Sequence, residues 1–461
     1  MDFETLKKIP LYEMLSDLGK RISLPEGIFY WAGRAKKEAN YIGTIGEAYA
    51  YKKDFLNDNS VTWVPCYLKY VDEYLGNLDI HDLVPYASIP GLDELRKIWK
   101  KWIIKKSLHD LNSEVEKLVR LEKYISMPLI TSGVTNAIFM SSAMFLNPME
   151  TIICPNKRWE NYDNIFKTFL GANIQAFEFF AKNELNLDSL VNTIYRVSEK
   201  QNKITIIIGF PNNPTGFIPT REESTKLIET LRNVQKDLKK PILILIDDAY
   251  EPYIFSDDVI NKSLFYDLHQ LDEDIIPIKL DGITKELLMY GGRIGFVTIG
   301  LKPKWVNNDR ELESLQKEID NKLSGFNRST ISNCNHFYQA ITSEIFKEKG
   351  MDNILKTRSI IENVLRQRFD KINSELKKIK NENVSIDPHG GGFFVFLNLN
   401  PKKIKATEFA DLLLKKYKVG IIPFENIREN VNGIRIAFCS IDITQIPEII
   451  NRINLALGDF K

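Results

Sequence analysis

Between about Lys69 and Ser324 the chain repeatedly alternates short β-rich runs with helical stretches, and this pattern limits its fold more than any other feature. The runs include ITIIIGF, ILILID, IIPIKL and GFVTIG. Strands separated by helices pair in parallel, and the connecting helices cover the faces of the sheet. The alternation therefore predicts an α/β fold in which a mostly parallel sheet is wrapped by helices.

The rest of the chain predicts a second, smaller unit. After about Ser329 a long helical region leads to the segments HGGGFFVFLNL and GIRIAF, a pattern typical of a small α+β domain. We therefore predict a large domain over residues 69–328 and a small domain over residues 329–461, which the N-terminal segment 1–68 joins. A charged, insertion-like stretch over residues 100–124 is predicted to form a solvated helix pair.

The composition predicts a cytoplasmic protein with a large core. The chain has 461 residues, of which 44% are hydrophobic and 27% charged, enough for two or three domains. With 62 basic and 61 acidic residues the formal net charge is +1, so neither nucleic acid nor a membrane surface is suggested as a partner. No apolar run approaches the ~20 residues that span a bilayer, and the opening MDFETLKKIP lacks an apolar signal core. The four cysteines lack C-x-x-C spacing and the five histidines form no ligand pair, so we predict buried thiols in a reducing compartment and no metal site.

Three segments offer polar residues just after strand ends: IIIGFPNNPTG, ILILIDDAYEPY and IKLDGITKELLMYGGRIGF. Each alone has an ordinary structural explanation, since PNNPTG favours a turn and an aspartate after a strand can cap the next element. Their order and spacing are more specific. Asn213, Asp247, Tyr250, Lys285 and Arg293 follow one another at roughly the intervals seen in class I/II aminotransferases, the aspartate aminotransferase family. The chain resembles that family, which implies pyridoxal 5'-phosphate as cofactor and the fold type I architecture.

The chemistry explains why these residue types are needed. A lysine amine forms a Schiff base with the cofactor aldehyde, and a desolvated amine titrates below its ordinary pKa of about 10.4, so Lys285 is the candidate nucleophile and base. The pyridine ring accepts electrons only while its nitrogen is protonated, which needs a carboxylate. The resemblance assigns this role to Asp247, and strand alternation also favours it over Asp248, because neighbouring side chains point to opposite faces. The resemblance puts the Tyr250 hydroxyl and the Asn213 amide on the phenolate oxygen of the ring.

A phosphate cradle is predicted from the segment PLITSGVTNAIF, a short strand, a Gly turn and an apolar helix. The amides of Gly133 and Val134 would lie at the helix N-terminus, where anions bind. Arg293 adds a planar guanidinium that can bind a phosphate through two hydrogen bonds. Thr284 can add a hydroxyl, although the family commonly has Ser-x-Ser-Lys where this chain has Gly-Ile-Thr-Lys.

Further matches lie outside these segments. KRWENYDNIF resembles the family's Trp-x-Asn-His segment, which implies that Trp159 stacks on the cofactor ring and that Asn161 lies near the substrate. A lone tryptophan is otherwise more typical of a core or an interface. In YASIPGLDELRKIW, Tyr86 precedes a glycine by five residues, as in the family, where this tyrosine reaches the phosphate of the neighbouring subunit. The resemblance therefore implies a homodimer with shared active sites.

Substrate recognition is assigned by resemblance to two arginines and a glycine. Arg435, in GIRIAFCSI, matches the arginine that binds the substrate α-carboxylate. Arg328, in FNRSTISNCNHF, matches a second arginine for a side-chain carboxylate, although Cys334 and Asn335 stand where the family has two prolines, and a plain surface arginine is the alternative. Gly46, in NYIGTIGEAY, would contact the substrate, as would Asn213.

Two classes of function remain open at this point. The leading prediction is an aminotransferase that moves the α-amino group of an L-amino acid, either aspartate and glutamate or an aromatic one, to a 2-keto acid. A lyase or decarboxylase on the same scaffold is the alternative enzyme, because fold does not settle which bond is broken. A cofactor-binding transcription regulator would need a basic DNA-binding domain, but only about 65 residues precede the large domain and they show no basic bias.

Overall fold

A computed structural model describes residues 3–24, 27–56, 58–76, 78–111 and 115–460. The strands are β1 Tyr41–Ile42, β2 Tyr49–Tyr51, β3 Trp63–Pro65, β4 Leu129–Thr131, β5 Thr151–Pro155, β6 Asn173–Phe177, β7 Phe180–Ala181, β8 Glu184–Leu185, β9 Ile204–Ile208, β10 Ile242–Asp247, β11 Ile275–Gly282, β12 Gly295–Ile299, β13 Val384–Ile386, β14 Phe394–Leu399, β15 Val419–Gly420, β16 Ile422–Asn426 and β17 Val431–Ala437. The helices are α1 Pro10–Glu13, α2 Asp17–Arg21, α3 Ile28–Glu38, α4 Lys52–Phe55, α5 Tyr70–Leu75, α6 Ile80–Leu83, α7 Asp93–Leu111, α8 Val115–Lys123, α9 Val134–Phe145, α10 Asn161–Asp163, α11 Leu187–Ser198, α12 Arg221–Leu238, α13 Leu264–His269, α14 Ile283–Glu286, α15 Asp309–Thr330, α16 His336–Leu376, α17 Ala406–Lys415 and α18 Ile446–Asp459.

The large sheet has seven strands in the order β4-β12-β11-β10-β9-β5-β6. Neighbours from β11 to β6 run parallel, whereas β12 is antiparallel to both β11 and β4. Strands β9 and β10 are runs of isoleucine and leucine that are buried almost throughout, as expected for strands with helices on both faces. The predicted α/β fold with a mostly parallel sheet is confirmed.

Apolar helices pack on both faces of this sheet. One face, with Ile244 and Phe296, packs against α7, α11, α12 and α13, and the other, with Leu245 and Leu280, packs against α9 and α15. The prediction of a solvated helix pair over 100–124 is wrong for α7. Trp102 and Ile103 in that helix are fully buried, because lysines placed between apolar residues can still lie on a buried face when carboxylates meet them.

The small domain contains an antiparallel sheet in the order β13-β14-β17-β16, with α16, α17 and α18 packed against it. The N-terminal segment adds a short parallel pair, in which Tyr41 and Ile42 of β1 face Val419 and Gly420 of β15. The predicted smaller α+β unit is therefore present. The predicted boundary after residue 328 falls inside α15, and the domain limits stay predictions.

Two further observations concern the chain as a whole. None of the helices in the described ranges is long and apolar enough to cross a membrane. All four cysteines are buried and free, as predicted for thiols.

The parallel strands β5, β9, β10 and β11 end at one edge of the large sheet, next to β14 and β17 of the small sheet. The residues that follow these strand ends are the ones that the sequence motifs select.

Candidate active site

A cavity of about 420 Å³ lies where the ends of the large sheet meet the small domain. Residues of the N-terminal segment, the large sheet and the small sheet all contribute to its wall. The predicted site residues that line it are Gly46, Val134, Trp159, Asn213, Asp247, Tyr250, Thr284, Lys285, Arg293 and Arg435. The tertiary fold thus brings together residues that are up to several hundred positions apart in the chain.

Lys285 enters the cavity from α14, directly after β11. Its Nζ donates a hydrogen bond to the carbonyl of Gly46 and lies 4.8 Å from the ring centroid of Tyr290. The ammonium makes no ion pair with any residue that the structure describes. Burial lowers the pKa of Lys285 to about 8, and the nearby Cys439 and Glu47 oppose this effect only in part. A substantial fraction of the amine is therefore neutral near physiological pH, which a nucleophile or base requires.

Asp247 is the last residue of β10 and points into the cavity, whereas its neighbour Asp248 points away. Asp247 Oδ2 accepts a hydrogen bond of 2.5 Å from the Tyr162 hydroxyl, and Oδ1 accepts one of 3.2 Å from the Ala249 amide. Burial raises the pKa of Asp247, and these two hydrogen bonds lower it. Asp248 instead pairs with Lys279 and accepts from the Ser263 hydroxyl at 2.7 Å. Only Asp247 can therefore meet a ligand in the cavity.

Tyr162 is a site residue that the motif reasoning missed. It stands at the fourth position of the Trp-x-Asn-His-like segment, where the family pattern has histidine. Both residue types can donate a hydrogen bond to a carboxylate, so this position was the signal that could have identified it. Trp159 lies beside it with the two rings 5.7 Å apart and nearly perpendicular, and both rings line the cavity.

An anion cradle lies at the N-terminus of α9. Gly133 has φ +81°, and a Cβ there would come within 2.3 Å of Nη2 of Arg293, so glycine lets the guanidinium lie against the helix end. The buried Oγ1 of Thr284 has no hydrogen-bond partner among the described residues. A free hydroxyl, a guanidinium without a carboxylate partner and a helix N-terminus together suit a phosphate group. The residues present therefore fit the phosphate of pyridoxal 5'-phosphate.

Arg435 projects from β17 into the opposite side of the cavity and is buried. Its Nη1 donates to Asn213 Oδ1 at 2.9 Å and its Nη2 to the Thr44 carbonyl at 2.8 Å. Its Nε is buried without a partner in the described chain, and burial lowers its pKa to about 10. The guanidinium also stacks over Phe394, 4.2 Å from the ring centroid. A buried arginine without a carboxylate calls for an anionic ligand, such as a substrate carboxylate.

The mouth of the cavity is apolar. Phe29 and Ile45 line it and are 72% and 46% exposed, so large hydrophobic side chains face the opening. At Gly46 a Cβ would come within 2.7 Å of the Phe394 ring and 3.2 Å of the Tyr250 hydroxyl. This close approach explains why the segment has glycine next to the predicted substrate position.

Some predicted residues lie outside this cavity. Tyr86 is 90% exposed, and Arg328 is exposed on α15, where Nη1 donates to Ser332 Oγ at 2.6 Å. Tyr86 was predicted to reach the phosphate of a neighbouring subunit and Arg328 to bind a side-chain carboxylate, and these roles stay predictions. Gly133 borders the site only through Arg293. Asn161 does not line the cavity; its Oδ1 accepts from Asn164 Nδ2 at 3.1 Å.

Comparison with known proteins agrees with this geometry. The family model for aminotransferase class I and II matches residues 67–453. The chain is 22% identical to an aspartate aminotransferase of Pyrococcus horikoshii, over 82% of this chain and 84% of that protein. It is 23% identical to an aromatic-amino-acid aminotransferase of Thermococcus litoralis, over 72% of this chain and 76% of that protein.

Solved structures share the fold. An aminotransferase from Anaerococcus prevotii superposes with a TM-score of 0.77 at 23% identity and covers 96% of this chain and 98% of its own. A kynurenine aminotransferase of Pyrococcus horikoshii gives 0.74 at 17% identity, with 98% of each chain covered. The resemblance identified from the motifs is confirmed.

Proposed function

The chain belongs to the class I and II aminotransferases, and we propose that it moves the α-amino group of an L-amino acid to a 2-keto acid with pyridoxal 5'-phosphate bound covalently to Lys285. One observation carries this proposal. The cavity contains a lysine amine with a lowered pKa, facing a carboxylate, Asp247, and an anion cradle with an unsatisfied hydroxyl. These are the groups that the cofactor's aldehyde, ring nitrogen and phosphate each need.

Bound pyridoxal 5'-phosphate supplies an electron-accepting ring that stabilises negative charge at the substrate α-carbon. The residues of the chain divide the remaining work. Arg435 would bind the substrate α-carboxylate and orient the α-hydrogen. Lys285 Nζ, released from the cofactor when the substrate amino group replaces it, would take that proton and later return it. Asp247, which accepts a hydrogen bond from Tyr162, would supply the negative charge that the ring nitrogen needs. Trp159 and Phe394 exclude water from the reacting atoms.

Among the candidate amino donors, the lining of the cavity favours an aromatic one. Phe29, Ile45 and Phe394 form an apolar mouth, which suits a large hydrophobic side chain. The cations that line the cavity in the described chain are Lys285, Arg293 and Arg435, each already assigned to another group. Aspartate and glutamate are the second candidates, because Arg328 of the partner subunit could meet a side-chain carboxylate.

We also propose a cytoplasmic homodimer. The free, buried thiols support a reducing compartment. The exposed side chains of Tyr86 and Arg328 support a shared site, since neither reaches the cavity of its own chain. Co-expression of a Tyr86→Phe chain with a Lys285→Ala chain should restore part of the activity through mixed dimers. An active monomer in light scattering would contradict the dimer.

The covalent proposal is tested by trapping. Purified protein with cofactor should absorb in the visible range, borohydride should abolish that band, and mass spectrometry should place the adduct on Lys285. An adduct on another lysine would refute the assignment. A panel of amino donors, followed by absorbance of the half-reaction and by product analysis, then identifies the reaction. A keto acid product supports transamination, whereas carbon dioxide or a cleaved side chain would indicate the decarboxylase or lyase alternative.

A further inference from the structure

A group of buried charged side chains lies directly behind the cavity, on the face of the sheet that α7 covers. We call it the ion cluster; it consists of Lys106, Asp248, Glu251, Lys279, Asp281, Glu286 and Arg358. Each of these side chains is at most 8% exposed. None of them lines the cavity.

Three carboxylates of the ion cluster follow site residues by one position. Asp248 follows Asp247, Glu251 follows Tyr250, and Glu286 follows Lys285. Consecutive residues share a peptide plane, so a carboxylate held rigidly in the ion cluster restrains the backbone of the site residue before it. The ion cluster therefore lies where it can set the positions of three cavity residues at once.

Lys106 joins two of these carboxylates. Its Nζ lies 2.6 Å from Glu251 Oε2 and 2.9 Å from Glu286 Oε1. Glu251 belongs to the turn after β10 and Glu286 to the end of α14, so Lys106 ties together two loops. The Tyr253 hydroxyl, which donates to the Lys285 carbonyl at 2.7 Å, is a second link between them. Lys279 pairs with both Asp248 and Glu251, and its Nζ lies 2.8 Å from Glu251 Oε2.

The other groups around Lys106 are also polar or charged. Asp281 Oδ2 lies 3.8 Å from both lysine ammoniums and has no hydrogen-bond partner in the described ranges. The indole of Trp102 donates to Glu286 Oε1 at 2.6 Å, and Arg358 Nη1 lies 3.4 Å from the same oxygen. Glu251, Asp281 and Glu286 have the spacing of a metal-binding trio, but the Lys106 ammonium stands among them and takes the place of a cation.

The ion cluster has more carboxylates than cations, so its stability depends on every cation. Four carboxylates face three cations, so the loss of one cation leaves buried negative charge without compensation. Burial raises the pKa of Asp248 to about 7 and that of Asp281 to about 6. Burial also acts to raise the pKa of Glu251, but Lys106 and Lys279 outweigh it and lower that pKa to about 2. The two lysines thus keep Glu251 ionised.

We propose that Lys106 is a positioning residue of the active site: by holding Glu251 and Glu286 it fixes the backbone that carries Tyr250 and Lys285. The inference rests on the proposed function, which gives Tyr250 and Lys285 their roles. It assigns an active-site task to the part of α7 around Lys106, which none of the site motifs includes. Lys106 does not line the cavity, and it acts only through the two carboxylates.

Amide hydrogen exchange of the full-length, cofactor-free protein tests this proposal. In Lys106→Met, peptides covering 247–253 and 282–289 should exchange faster by roughly tenfold or more, because the two loops open locally. Peptides covering β5 and β6 should be unchanged. Lys105→Met is the matched control, since Lys105 is the next residue on α7 and pairs with the exposed Asp352. Lys106→Arg keeps the charge and should restore most of the protection.

Loaded protein provides a second readout. The visible circular dichroism of the bound cofactor, per mole bound, reports the orientation of its ring and should fall in Lys106→Met but not in Lys105→Met. A merely structural role would lower the melting temperature without changing this signal. If Lys106→Met yields no folded protein, Glu286→Gln weakens the same link and removes one negative charge from a cluster with an excess of them.

The outcomes are distinct. Faster exchange confined to the two loops supports the proposal, whereas uniformly faster exchange, or none, overturns it. Exchange in the cofactor-free chain does not require cofactor binding. A wild-type protein that forms no adduct at Lys285 would therefore refute the proposed function and leave the exchange result to decide the role of Lys106.

Discussion

The cavity and the ion cluster lie on opposite sides of the same strand ends. Lysines in the two places have different partners, and their pKa values shift in opposite directions. Lys285 faces the cavity without an ion-pair partner in the described chain, and burial lowers its pKa to about 8. Lys279 faces the ion cluster, where neighbouring carboxylates outweigh burial and raise its pKa. The difference shows that a buried cation that no described carboxylate contacts marks a site for a ligand, whereas buried cations paired with carboxylates mark a scaffold.

The largest expected effect separates the two lysines. Lys285→Ala should reduce transamination by roughly 10⁴-fold or more, the upper range for loss of a general base, while the protein stays folded. Lys279→Ala should instead lower the free energy of unfolding by about 3–5 kcal/mol, because it leaves buried carboxylates unpaired. Steady-state kinetics and denaturant unfolding of both variants measure the contrast. Normal turnover in Lys285→Ala would remove the basis of the proposed function.

The next effect separates two adjacent aspartates. Asp247→Asn keeps the shape of the side chain but removes the charge that the ring nitrogen needs. The activation barrier should therefore rise by about 3 kcal/mol, so that kcat falls roughly a hundredfold. Asp248→Asn should change kcat much less, since its side chain points away from the cavity. Stopped-flow absorbance of the half-reaction in both variants provides the measurement. A larger kinetic loss in Asp248→Asn would show that the assignment of the two aspartates is reversed.

Substrate arginines give the third contrast, between a buried residue and an exposed one. Arg435→Ala should reduce kcat/KM for every amino donor, because all carry an α-carboxylate. The loss of transition-state stabilisation should be about 2–5 kcal/mol. Arg328→Ala should reduce kcat/KM only for aspartate and glutamate if the partner subunit uses it for a side-chain carboxylate. A donor panel with both variants distinguishes these cases. No selective loss in Arg328→Ala would leave the aromatic donor as the better candidate.

The last prediction concerns pH. In cofactor-free protein, acylation of Lys285 should increase with pH to a plateau, with a midpoint near the pKa of about 8 and not near 10.5. Because the pKa is lower in the folded state, the stability of wild type relative to Lys285→Ala should fall as the pH drops from about 10.5 to about 8 and then level off. Peptide mass spectrometry and unfolding curves provide the two readouts. An acylation midpoint near 10.5 would contradict a desolvated amine.

Much of the site could be predicted because its signals are local. Lys285, Asp247 and Asn213 each follow a strand within a short motif, so their positions depend mainly on where the strands end. The choice of Asp247 over Asp248 used only the alternation of side chains along a strand. Tyr162 was missed because its partner is 85 positions away, and its place at the histidine position of the family segment was the signal in the sequence that could have identified it.

The chain's own pattern was sufficient for the α/β fold, the order of the cofactor residues and the family, since strand and helix periodicity and motif spacing are properties of neighbouring residues. Tertiary structure alone decided the rest. It set Arg435 against Asn213, 222 positions apart, placed Phe29 at the mouth of the cavity and buried Lys106 among carboxylates from two loops. The physical reason is that a charged helix such as α7 has no local signal for which carboxylates will meet it, because packing between distant segments makes that choice.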